Sequence, residues 1–174
     1  MSVWAMVPIK PLNRAKSRLA SALSPEARER LALAMLHHNL SVVMQSELLT
    51  GVLVISRDMK ALAAARAFGG VQTLQESGTP ELNNVLRRAA RMMISWQVGA
   101  TLILPADVPL ITREDIEIMV NMGQEARSVI IAPDRKEDGT NAIFVRPPDV
   151  IELGFGVGSF QRHLQSAQAI NCKV

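Results

Sequence analysis

The sequence has 174 residues, 48% of them hydrophobic, with 19 basic and 16 acidic side chains and a formal net charge of +3. That is enough apolar content for one domain with a sizeable core, and too small a charge excess for a polybasic tail. A single cysteine, Cys172, excludes an internal disulfide and a paired-cysteine metal site; no apolar run approaches the roughly 18 residues of a membrane span, and Pro8 and Lys10 come too early for a signal segment, so a soluble, cytoplasmic protein is expected.

The first strand is expected at "VWAMVP" from Val3. The stretch that overlaps its end, "VPIKPLNRAKSRLA", puts Lys10, Arg14, Lys16 and Arg18 into nine positions ahead of any acidic residue. Ser24 and Pro25 read as a helix N-cap and first helical residue, and the helix from Pro25 to about Gln45 carries Leu31, Met35 and Val42 at helical spacing. Strands follow at "GVLVIS" from Gly51 and "VQTL" from Val71, and Thr79 with Pro80 repeats the capping device. "TLILPA" from Thr101 is the next strand, with Asp107 just behind it. Thr112 and Asp115 have capping-box spacing and open a helix through about Met122. "SVIIAP" from Ser128 and "NAIFVRP" from Asn141 are the last strands, joined by the mixed-charge "PDRKEDGTN". In "ELGFGVGSFQRHL", Gly154, Gly156 and Gly158 precede Ser159, which reads as the cap of a helix beginning at Phe160 with its amides aimed outward.

Strands alternating with helices predict a single α/β domain over residues 1–174, its sheet mostly parallel and flanked by helices. Right-handed crossovers then place the strands' carboxyl ends, and any ligand, on one edge. Three loops meet there: Pro8 to Ser17, Pro105 to Leu110 and Pro133 to Thr140. The cations of the first suit a phosphate-rich ligand, although Arg14 and Arg18 at i, i+4 spacing equally suit a solvated helix face. Asp107 opposite them is where magnesium bridging nucleotide phosphates would be held, or else a turn residue. The sequence has neither a P-loop nor a GxGxxG fingerprint, which argues against a P-loop enzyme and a dinucleotide dehydrogenase.

"VPIKPLNRAKSRLA", "LPADVPL", "PDRKEDGTNAIFVRPP" and "FGVGSFQRHL", in that order, resemble the 2-phospho-L-lactate guanylyltransferase family, which makes the deazaflavin coenzyme F(420). The resemblance spans roughly residues 3 to 170. It implies a Rossmann-like nucleotidyltransferase fold and a reaction in which a small phosphorylated acid attacks the α-phosphorus of GTP and pyrophosphate leaves. The acid would be 2-phospho-L-lactate, phosphoenolpyruvate or 3-phosphoglycerate, and Mg2+ the cofactor. By the same resemblance Lys10, Lys16 and Arg18 belong to the nucleotide-phosphate loop, Lys16 to the transition state and Asp107 to the metal. Thr140, Gly156 and Ser159 match the site for the phosphorylated acid. Asn83 falls in a turn similar to the family's nucleotide-contacting "GLN", with Glu81 in place of the glycine. Family members continue into a strand and an acidic segment with a second metal-binding aspartate, whereas this sequence stops at "AINCKV": either it is part of a longer chain, or the protein lacks that ligand and binds magnesium less well, and a lost terminal strand would leave an open sheet edge, a route to a homodimer or to aggregation.

The other candidates read as structural. His37 and His38 point about 100° apart on a helix, a poor arrangement for one metal; His163, one turn after Ser159, is within reach of the same pocket but is expected on a helix surface. A nucleic-acid partner is not expected, since the chain has no tyrosine and only 3% aromatics for stacking. The alternatives are another nucleotidyltransferase of this fold, disfavoured by a first loop without glycine, and a catalytically inactive GTP-binding domain.

Overall fold

A computed structural model describes residues 2–77 and 82–174. The expected cap at Thr79 and Pro80, and Glu81 behind it, lie outside the described residues. In chain order the elements are β1 (Val3–Pro8), α1 (Pro25–Gln45), β2 (Gly51–Ser56), α2 (Met59–Arg66), β3 (Val71–Gln75), α3 (Leu82–Ser95), β4 (Ala100–Ile103), α4 (Arg113–Met122), β5 (Ser128–Pro133), β6 (Thr140–Arg146) and α5 (Ser159–Ala169). The two full caps form as local chemistry dictates. Ser24 accepts from the Ala27 amide, and Thr112 and Asp115 exchange both capping-box bonds. The helix α2, absent from the sequence reading, is capped by Asp58, whose carboxylate accepts from the amides of Lys60 and Ala61.

The strands form one six-stranded sheet in the order β3-β2-β1-β4-β6-β5. β1 pairs in parallel with β2 and β4, and β2 with β3. Of these strands β6 alone runs antiparallel to its neighbours, so the sheet is mostly parallel, as expected, with one reversed strand. The reason is loop length: residues 134–139 are too few for a crossover and suffice for a hairpin. β6 therefore starts, rather than ends, at the edge where β1, β4 and β5 end. The chain's last residues reach the free side of β5, where the Val129 amide donates to Lys173 O and the Lys173 amide to Arg127 O.

Both faces of the sheet are covered, which is why its strands read as continuous apolar runs. Val3, Ala5 and Val7 of β1 and Leu102 of β4 face α1, α2 and α4 in one core, which includes Leu36, Leu40, Leu62 and Ile116. Met6 and Ile103 face the other way, into a second core with Val85, Leu86 and Met93 of α3 and Ala167 of α5. No helix among the described residues is long and apolar enough to cross a membrane.

Phe144, fully buried on β6, lies against Gly123 at the end of α4, and a Cβ added at Gly123 would fall inside the ring's van der Waals envelope. Gly123→Ala is expected to destabilise the fold by about 2 kcal/mol through overpacking, lowering Tm by about 4–8 °C in calorimetry. An unchanged Tm would mean that the ring moves aside freely.

Candidate active site

The order of the sheet reverses between β1 and β4, and the loops after these two strands lie side by side at that switch point. The first loop is not a helix face. It folds as two short 3-10 turns, Leu12–Arg14 and Ser17–Leu19, anchored by the buried Leu12 and Ala15. Asp58 holds it from the neighbouring strand end: Oδ2 accepts from the Leu12 amide at 2.8 Å while Oδ1 caps α2. Ser56 Oγ donates to Ile9 O at 3.0 Å. The loop's backbone is thus fixed from below and its cations are left to face outward. Lys16, between the turns, has φ 53° and ψ 37°, a left-handed conformation that costs a non-glycine residue about 1–2 kcal/mol.

Behind β4, Asn39 is fully buried and its amide nitrogen donates to Pro105 O at 3.3 Å, which fixes the turn leading to Asp107. Lys10, Arg14, Lys16, Arg18 and Asp107 all line one cavity of about 610 Å³. Lys16 Nζ lies 3.8 Å from Asp107 Oδ2, and the Asp107 side chain is 67% exposed. The carboxylate is therefore open to a ligand rather than buried in an ion pair. Sequence reading missed two further residues of the same cavity, Arg57 and Glu76, just past the ends of β2 and β3. They pair at 3.4 Å, with Glu76 only 14% exposed. A charged residue immediately after a parallel strand is the signal that would have found both.

The second cluster lies where β6 begins. The preceding hairpin is shaped by Asp134, whose Oδ1 accepts from the amides of Lys136 and Asp138; with the Gly139 amide they hold its carboxyl below the usual carboxylate range. Thr140 and Ser159 are brought together, their hydroxyls 3.2 Å apart, at 9% and 1% exposure. Ser159 is not a cap: it is the first residue of α5, Gly158 is the N-cap at φ 68°, and the Ser159 hydroxyl turns inward. Nor are the expected amides free. Gly158 donates to the Asp138 carboxylate at 3.2 Å, Phe160 to Asp138 O and Ser159 to Gly156 O. His163 is not on a surface but fully buried, bridging Thr140 and Gly154.

The three glycines have an unexpected neighbour. A Cβ at Gly154 or Gly158 would press on the Arg162 guanidinium at 3.2 or 3.3 Å, and Arg162 donates to Val157 O and Gly154 O. The glycines thus make room for an arginine of their own chain. Asn83 is joined to the same segment: its amide nitrogen donates to Phe155 O and its oxygen accepts from the Phe155 amide. The side chain docks residues 152–158 onto α3 and does not line the cavity of the basic loop, although its neighbour Leu82 does.

Residues 3–174 match the family described as guanylyl transferase CofC like. The chain belongs to this family. It is 40% identical over 167 residues to the phosphoenolpyruvate guanylyltransferase of Rubrobacter xylanophilus, a match covering 96% of this chain and 80% of that protein. It is 33% identical to the 2-phospho-L-lactate guanylyltransferase of Methanocaldococcus vulcanius, over 97% of this chain and 72% of that one. Among solved structures it resembles a nucleotidyl transferase from Methanothermobacter, with a TM-score of 0.70 at 13% identity, covering 98% of this chain and 84% of that one. It also resembles 4-diphosphocytidyl-2C-methyl-D-erythritol synthase, at 0.64 and 11%, covering 99% and 85%. These two likenesses bear on the fold, which is the Rossmann-like nucleotidyltransferase fold. Within that fold, the CofC-like chain brings its basic loop and Asp107 into one cavity, and Thr140, Gly154, Ser159 and His163 into a second cluster held to α3 by Asn83.

Proposed function

We propose that this chain is a guanylyltransferase that joins GMP from GTP to the phosphate of a small phosphorylated carboxylic acid, in the making of coenzyme F(420). The observation that carries the reading is the convergence of the first loop's four cations and Asp107 on one cavity in a CofC-like chain. The named relatives act on phosphoenolpyruvate or 2-phospho-L-lactate, and 3-phosphoglycerate differs from these by a few atoms. In the reaction an oxygen of the acid's phosphate bonds to the α-phosphorus of GTP. The bond from that phosphorus to the bridging oxygen breaks, and pyrophosphate leaves with the electron pair.

Such chemistry rests on positioning and charge stabilisation rather than on a covalent nucleophile. Lys10, Lys16 and Arg18 neutralise the triphosphate, Lys16 being the one rigidly set beside Asp107. Thr140, Gly156 and Ser159 would receive the acid. Glu76 lines the same cavity with its carboxylate paired to Arg57. Magnesium, when bound, would neutralise charge developing on the phosphates. Asp107, 67% exposed on the cavity, fits the part of a carboxylate that holds this metal together with water and substrate phosphates.

The test is pyrophosphate release with magnesium, running GTP, ITP and ATP each against phosphoenolpyruvate, 2-phospho-L-lactate and 3-phosphoglycerate. Release is expected with GTP and one acid, and faster than with ATP. Silence with every acid, while GTP still binds, would replace the reading with that of an inactive nucleotide-binding domain.

A further inference from the structure

The hydrogen bonds around His163 assign its protons. The Gly154 amide donates to Nε2 at 2.9 Å, so Nε2 carries no hydrogen. A second N–H there would face the amide head-on, which excludes both the cation and the other neutral form. Nδ1 therefore holds the hydrogen and donates to Thr140 Oγ1, 3.0 Å away. Complete burial, together with the charge of Arg162, pushes the imidazole pKa down to about 4, in keeping with a neutral ring. Phe155 packs against the imidazole, with centroids 5.3 Å apart and ring planes at 70°.

His163 Nδ1, Thr140 and Ser159 bring three hydrogens, and the two bonds of the chain, His163 to Thr140 and Thr140 to Ser159, use two of them. One hydroxyl hydrogen is left over. Thr140, more open than Ser159, is its natural owner. Buried donors without an acceptor cost about 1–3 kcal/mol, and an anionic oxygen removes that cost. The amides of Gly158, Ser159 and Phe160 are already held, by Asp138 and Gly156.

We infer that His163 is a positioning residue for the phosphorylated acid: as a neutral ring it fixes the Thr140–Ser159 pair as a hydrogen-bond donor to the acid's anionic oxygens and ties the start of β6 to the Gly154 segment. The inference rests on the proposed guanylyltransferase reading and deepens it by naming what sets the donor polarity of the acid site.

Steady-state kinetics and nitrogen-detected NMR of the intact protein test it together. His163→Phe keeps the ring volume and removes both bonds; the KM of the acid is expected to rise at least about tenfold, with the KM of GTP within about threefold. His163→Asn, which retains a donor near the Nδ1 position, should recover part of the loss, and Ser159→Ala should add little to His163→Phe because the two act on one donor. In the wild type, NMR should show Nδ1 protonated and Nε2 bare from pH 5 to 8. An Nε2–H tautomer, or equal rises in both KM values, would overturn the inference. If the wild type is silent with every acid, the function reading fails by itself. Titration with phosphoenolpyruvate then decides this one: a shift of the His163 Nδ1 signal upholds it, and no shift refutes it.

Discussion

Asp107→Ala is expected to abolish magnesium-dependent pyrophosphate release while leaving the fold intact. The side chain is 67% exposed and its partner in the structure is Lys16 at 3.8 Å, so its removal should change stability by no more than about 0.5 kcal/mol. Its contribution to turnover is of a different order, because losing one preorganised group that answers developing charge costs about 10²–10³ in rate. Two measurements have opposite signs. Turnover falls with magnesium present, yet binding of GTP without magnesium should tighten, since a carboxylate that repels the triphosphate has gone and Lys16 is released towards it. A variant with full magnesium-dependent turnover would remove Asp107 from the metal site; weaker metal-free GTP binding would mean that the carboxylate works through the loop's geometry instead.

The second large effect is expected at Lys16. Lys16→Ala should cost about 10²–10³ in kcat, because the ammonium is the cation fixed at the junction of the β1 and β4 loops. Its backbone adds a control that few active-site lysines offer. At φ 53° a side chain is strained and glycine is not, so Lys16→Gly should lose as much activity as Lys16→Ala and yet melt higher, by about 0.5–1 kcal/mol in stability. Calorimetry beside the pyrophosphate assay separates the two: a strained backbone held for function predicts more stability and less activity in the same variant. Lys16→Ala within tenfold of the wild type would move the transition-state contact to another cation of the loop.

The residues that proved legible without a structure act locally or by pattern. Ser24 and Thr112 cap their helices because the bonds they make close within three residues. The strands are legible because a sheet covered on both faces needs unbroken apolar runs, and β1, β2 and β5 begin and end where those runs do. The cations of the first loop and Asp107 follow from the same pattern, as charged residues immediately behind buried strands. The helix α2 carried a signal of this kind too, in Asp58 ahead of "MKALAAAR", but Asp58 also reads as a turn residue. Its second bond, to Leu12, joins residues 46 apart.

What the sequence by itself determined, then, is a single α/β arrangement, the loops that carry charge and membership of a guanylyl transferase family, since each depends on residue order and short spacings. Tertiary structure alone decided which partners the polar groups take. Ser159 looks like a cap and bonds Thr140, nineteen residues away; Asn83 looks free for a nucleotide and is bound to Phe155. Gly154 and Gly158 make room for Arg162, and His163, on paper a surface residue, is the buried link between two halves of a site. The physical reason is the same for all four. A hydrogen bond has a reach of about 3 Å and strict direction, and which donor meets which acceptor across tens of residues is set only when the sheet order and the antiparallel β6 bring the segments together.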